Sequence, residues 1–374
     1  MTGAPETHEF SPNWALHPGA ILRTTLERQG IRQNELAERT GLSPKHINQI
    51  VKETVGISGD IAVLLGRVLD VDASFWTRAE ADYQAYISAE KAKSQLPEYV
   101  SWLKGFDISE LHRRGITRPD DSDATAVEKT LRFFRVASPA AFAQTWQRPR
   151  VSFRRSQAFE IVEQNTALWL RLVERSAEDF DVKPLKIGAL RAVARTIPSL
   201  TTLNVVDGFT AARTALAEVG VVLTFVRQVP ETRLCGATWW LGADRPVIGL
   251  TERQRKPDIF WFSLIHEVAH IILHPKRTTF LELRGETDEA EKEADEFAES
   301  ILFPGNCREQ IQAARTRAQL LLLSAKLGLG PAIVAGQHGH LTNRWNIGGS
   351  LRGRITDQDI DAMEKIACVS GRSG

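Results

Sequence analysis

From Pro18 to about residue 89, apolar residues recur at helical spacing and glycines punctuate them. Ile21, Leu22 and Leu26 form one stripe, closed by Gly30. A second short stretch covers residues 33–40 and stops at Gly41, and a third covers 43–52. Ser43 is a natural N-cap, and Pro44 suits the first helical position. Two short helices around a glycine predict a helix-turn-helix. Leu36, Leu42, Ile47 and Ile50 make its seam, Ala37 is small enough for close approach, and Gly41 can take positive φ. No seam position is charged. Lys45, His46, Asn48, Gln49 and Lys52 are left on the outside of the second helix.

A helix presented in this way enters the major groove of DNA. Asn48 and Gln49 suit base edges, and Lys45 and Lys52 suit phosphates. Gln33, Ser43 and His46 are further candidates on the same face. At this point residues 17–86 resemble the Xre/Cro-type helix-turn-helix family, and more narrowly the HigA-type antitoxins. The likeness includes His17-Pro18-Gly19, Gly56-Ile57-Ser58 and Phe75-Trp76. The resemblance implies a homodimer on an inverted-repeat operator, usually that of its own promoter.

Residues 91–189 read as a helical connector, with helices expected at 126–134, 140–147 and 167–176. They carry no chemistry motif. Arg148, Arg150, Arg154 and Arg155 cluster around Pro149 and read as solvated surface. A further helix is expected at 186–196. From Val205 the pattern changes. A helix over 209–218 leads to an apolar, β-branched run at 219–226. Runs at 234–241 and 246–250 follow, joined by Gly242-Ala243-Asp244. The fold class expected is mainly α with a small antiparallel sheet, α+β. An edge position for the 234–241 strand would let it hold an extended peptide by backbone pairing. Trp239 and Trp240 read as core.

The next helix is apolar nearly all round, which predicts burial, with Asp258 as its cap and Pro275 as its stop. Yet it contains His266-Glu267-Val-Ala-His270, and buried charge needs a partner. His266 and His270 lie one turn apart on one face, so both imidazoles can meet one Zn²⁺ at about 2.0–2.1 Å. Glu267 lies beside them, placed to take a proton from a water the metal activates. His274 lies about 12 Å along the axis from His266, too far for the same ion. A metzincin site needs Gly and His where this chain has Leu273 and Lys276, which excludes that class. A carboxylate on a second helix, 287–303, remains. Glu291 and Asp295 flank its apolar stripe: Glu291 as ligand, Asp295 as acceptor for a ligand imidazole N–H. Glu293 is the second choice for ligand. The helix pair over 320–326 and 331–336 around Gly328 reads as a packing module.

The two acid- and histidine-bearing helices resemble the ImmA/IrrE family of zinc metallopeptidases, through His266-Glu267-x-x-His270 with Leu273-His274, and Glu291-x-Glu293-Ala294-Asp295-x-Phe297-Ala298 with Leu302 and Pro304. The resemblance implies cleavage of a partner repressor or antitoxin in a stress or toxin-antitoxin circuit. Self-cleavage is the alternative within the same fold. A non-catalytic HigA-like autorepressor, with a structural or sensory metal domain, is the alternative outside it. The oxyanion stabiliser is unassigned, since Tyr83, Tyr86 and Tyr99 all lie N-terminal, and His338 and His340 read as distant surface residues.

Charge and length bound these readings. Of 374 residues, 47 are Lys or Arg and 46 Asp or Glu, so any nucleic-acid binding is local. Three spaced cysteines make no disulfide framework. No leader pattern and no run of about 20 apolar residues is visible, so a cytoplasmic protein with no membrane part is expected. The expected organisation is a flexible tail 1–16, a DNA-binding domain 17–90, a connector 91–189, a metallopeptidase domain 190–345 and a partly disordered tail 346–374.

Overall fold

The computed structural model describes residues 15–147, 164–178, 180–232, 234–242, 244–274, 280–283 and 289–368. The expected N-terminal tail up to residue 14 and the arginine cluster around Pro149 lie outside them. The chain divides into two compact units, 1–100 with 122–127, and 101–121 with 128–374. Most of the stretch expected as a connector therefore belongs to the second unit.

The first unit is helical: α1 (Pro18–Gln29), α2 (Gln33–Thr40), α3 (Pro44–Val51), α4 (Gly59–Leu69) and α5 (Ala73–Gln95). Its core joins Leu22, Leu26, Leu36, Ala37, Ile47, Ile50, Leu65 and Trp76. Gly41 takes φ 75°, the left-handed turn expected of it. The His17-Pro18-Gly19 triplet has a packing reason. His17 Nδ1 accepts from the Gly19 N–H at 2.9 Å, capping α1. A Cβ on Gly19 would stand 1.9 Å from the Ile50 carbonyl, so only glycine lets α1 meet the end of α3.

The second unit is built on a four-stranded sheet, β1 (Val222–Phe225), β2 (Leu234–Trp240), β3 (Pro246–Leu250) and β4 (Phe280–Leu283), in the order β1-β3-β2-β4. The α+β class is as expected, but the sheet is mixed rather than antiparallel. β2 pairs antiparallel with β3 and with β4, whereas β1 runs parallel to β3. The hairpin folds β3 back between β1 and β2, which fixes that direction. Pairing with β4 on its other side makes β2 an inner strand, so β2 is not the free edge considered for peptide pairing. Strands β1 and β3 are buried at every position, which is why they read as continuous apolar runs.

Two helices explain that double burial. α6 (Gln164–Glu178) covers one face, where Trp169 Nε1 donates to the Val226 carbonyl at 3.0 Å. α7 (Pro257–Leu273) covers the other, with Phe260, Leu264 and Val268 sharing a core with Ile248 and Leu250. Its N-cap is Lys256, with Pro257 at the first turn. Asp258 is not the cap. It pairs with Arg352, Oδ2 to Nη2 at 2.6 Å, and burial raises its pKa despite that partner. α8 (Glu289–Leu302) lies against α7 and buries Ala294, Ala298 and Leu302. Trp239 is buried and Trp240 packs on the core.

The expected packing module is present as α9 (Arg317–Leu327) and α10 (Pro331–Thr342), joined through Gly328 at φ 66°. The expected disordered tail is corrected up to residue 368. α11 (Asp357–Cys368) buries Ile360, Met363 and Ala367 in the main core. Arg213 closes its last turn by donating to the Ile366 and Ala367 carbonyls at 2.6 and 3.1 Å.

Gly19→Ala should destabilise the first unit by about 1–3 kcal/mol, the usual cost of forcing atoms into filled space. Gly59, at the start of α4 with open space around it, is the control. Gly59→Ala should be neutral or stabilising by about 0.4–1 kcal/mol. Urea denaturation of both variants checks the pair.

Candidate functional site

The C-terminal half of α7 carries three polar side chains in the driest part of the molecule. His266 is 2% exposed, His270 1% and Glu267 0%. Their spacing puts the two imidazoles on one face, and α8 brings Glu291 to the same point. The His266 Nε2 lies 3.0 Å from His270 Nε2 and 3.0 Å from Glu291 Oε2. His270 Nε2 lies 3.5 Å from Glu291 Oε1. Among the described residues, these three form the one group of ligand-type atoms within 4.8 Å of one another.

The donor set at this point suits a cation. Asp295 Oδ1 stands 2.9 Å from His266 Nδ1, and a carboxylate can only accept, so Nδ1 carries the proton. His266 Nε2 faces both Glu291 Oε2 and His270 Nε2, so two imidazole nitrogens and a carboxylate meet at one point. Two nitrogens bound tetrahedrally to one zinc at about 2.0–2.1 Å stand roughly 3.3 Å apart. The observed separation, with two imidazoles and one carboxylate converging, fits that donor set. His270 is suited to it as well: burial first, then His266 and His274, hold its pKa well below the ordinary histidine value.

The other expected residues are placed as follows. Asp295 meets His266 with a side chain 57% exposed. Glu293 is turned away from the imidazole pair, its Oε2 3.7 Å from His274 Nδ1. His274 Nε2 stands 3.1 Å from the Ala290 carbonyl and not in the three-residue group. His338 is fully buried, not at the surface, and donates to the Ala314 carbonyl at 3.1 Å, while His340 is exposed. Neither joins the group.

Two residues at the site had no signal in the sequence. Thr238 on β2, 1% exposed, donates its hydroxyl to Glu267 Oε2 at 2.5 Å. Gly236, two residues earlier on the same face, lies beneath that carboxylate. A Cβ there would stand 2.8 Å from Glu267 Oε1. β2 thus holds the Glu267 carboxylate from below, with a hydroxyl on one oxygen and a clearance for the other.

On α3 of the first unit, Lys45 and Asn48 are exposed and His46 and Gln49 partly so, and Lys52, which caps the helix, is exposed. Gln33 opens α2, also exposed. Ser43 Oγ accepts from the His46 N–H at 3.2 Å, so its side chain serves as the cap of α3.

Comparison with known proteins separates the same two parts. Residues 22–76 match the helix-turn-helix family model, and residues 220–335 match that of the IrrE N-terminal-like domain. Virulence-associated protein I of Dichelobacter nodosus is 36% identical over 81 residues, 21% of this chain and 75% of that protein. The Pseudomonas aeruginosa antitoxin HigA, solved with the higBA promoter, is 35% identical over 22% of this chain and 90% of its own, with a TM-score of 0.21. Another Pseudomonas aeruginosa structure, solved with its 18-base-pair operator DNA, is 37% identical over 20% of this chain and 82% of its own, with a TM-score of 0.20.

The state of His270 has a consequence for stability. Unfolded, it takes a proton near pH 6.5; folded, it does so only at much lower pH. The unfolded chain then binds more protons, so stability is full above about pH 6.5 and falls as pH drops toward the folded pKa. The slope from this residue is at most about 1.4 kcal/mol per pH unit. Urea unfolding in chelator from pH 7.5 to 5 should show it, and His270→Gln should flatten it.

The chain belongs to the Xre/HigA-type helix-turn-helix family through its N-terminal segment and carries an IrrE/ImmA-like domain in its C-terminal part.

Proposed function

We propose that the chain is a cytoplasmic transcription regulator with a zinc metallo-endopeptidase domain. Its helix-turn-helix unit binds an inverted-repeat operator as a homodimer. Its IrrE/ImmA-like domain cleaves a partner repressor or antitoxin, or this chain itself, in a stress-response or toxin-antitoxin circuit. The observation that carries the reading is the convergence of His266, His270 and Glu291 in a buried site beside Glu267.

His266, His270 and Glu291 would hold the metal, with Asp295 fixing the His266 tautomer. A zinc ion there supplies Lewis acidity for a peptide carbonyl and a water. Glu267 takes the proton released as the water attacks and returns it to the departing amine. Thr238 holds one oxygen of that carboxylate, so the other is presented in a fixed direction. On the DNA side, the exposed residues of α3 would read the major groove.

Glu267→Gln should keep zinc and fold and lose cleavage by orders of magnitude, because an amide cannot take the proton. The assay follows the size of a co-expressed neighbouring protein, and of this chain, before and after DNA damage. Identical patterns in wild type and variant would leave the non-catalytic autorepressor as the better account.

In a gel-shift titration on its own promoter, Asn48→Ala or Gln49→Ala should cost roughly 1–3 kcal/mol at the specific site. Lys52→Ala should weaken all sequences alike. Absence of binding at low salt would end the DNA reading.

A further inference from the structure

Glu291 is the one member of the three-residue group that does not come from α7. It sits in the first turn of α8, and first turns are the weakest part of a helix because their N–H groups lack partners in the helix. A contact from outside the helix can steady the backbone there. The neighbouring residue, Ala290, is so held. His274 ends α7, its own N–H bonded to the His270 carbonyl at 3.2 Å. Its side chain is 6% exposed, and its Nε2 reaches the Ala290 carbonyl at 3.1 Å. A carbonyl only accepts, so Nε2 carries the proton. A helix carbonyl has a second lone pair, so this bond competes with nothing in the ladder of α8.

We infer that His274 is a positioning residue that sets Glu291 against the two histidines by clamping the adjacent backbone. The inference rests on the metal reading above. It explains why the histidine series on α7 continues past the metal-binding pair to a residue that is not in the group. One helix then carries both imidazoles and, one turn further on, the hook for the helix that brings the carboxylate. Glu293, whose carboxylate flanks the other ring nitrogen at 3.7 Å, lies outside that contact.

The test measures zinc affinity of the full chain by competition with a chromophoric chelator, with Co²⁺ absorption as a second readout. His274→Ala should weaken zinc by about 10–100-fold, the usual effect of losing a residue that orients a ligand. His274→Gln places an amide N–H near the Nε2 position and should recover most of that loss. In a Glu291→Ala background, adding His274→Ala should change affinity no further, because there is no carboxylate left to position. Wild-type affinity in His274→Ala overturns the inference. So does an equal loss in the Glu291→Ala background, which would mean that His274 acts on the fold or on the histidines. Loss without rescue by Gln, as deep as in Glu291→Ala, would make His274 a ligand and overturn it too. No zinc bound by the wild type would overturn the metal reading itself, an outcome distinct from these three.

Discussion

Two imidazole nitrogens 3.0 Å apart, with a carboxylate at the same distance from one of them, make a donor set suited to a metal cation at its centre. The rest of the second unit holds these side chains in a dry interior. α7 is buried on nearly every side, between the sheet and α8. Desolvation keeps His270 neutral and therefore able to donate a lone pair. The same dryness makes the fully buried Glu267 costly, and the Thr238 hydroxyl offsets part of that cost.

The sheet is as much a part of the site as the helix. β2 lies between β3 and β4 and faces α7 with alternate residues, so Gly236 and Thr238 both point at Glu267. Ala237, between them, shares the opposite face with Gly249, which packs under Trp169 and Val173 of α6. The register therefore assigns one set of side chains to the chemistry and the other to the core. A slip of one residue would exchange them.

What the sequence disclosed follows from how local each signal is. His266 and His270 are one turn apart, and Glu291 and Asp295 repeat that interval on the next helix, so helical period alone pairs them. Thr238 is 29 residues from Glu267, and its partnership depends on sheet register, which no local period encodes. The parallel pairing of β1 with β3 was hidden for the same reason: pairing between strands separated by a third is a property of the whole sheet. The last helix was missed because arginine, glycine and serine around it mask an apolar stripe of only three positions, Ile360, Met363 and Ala367. Its anchor, Arg213, lies more than 150 residues earlier. His338 looked like a surface residue because histidine is polar, but its ring satisfies a carbonyl and disappears into α10.

The two units have separate cores. Leu22, Ile47 and Trp76 belong to one, Phe260, Leu264 and Ile360 to the other, and no residue belongs to both. Each surface that carries chemistry is therefore supported by its own hydrophobic burial. The α3 face depends on the seam of Leu36, Ile47 and Ile50 and on the close approach that Gly19 permits. The His266–His270–Glu291 group depends on α7, on α8 and on the sheet beneath. Loss of charge or metal at the second site removes no contact from the first core. A regulator built this way can change what its peptidase-like part does without rebuilding the helix that faces DNA.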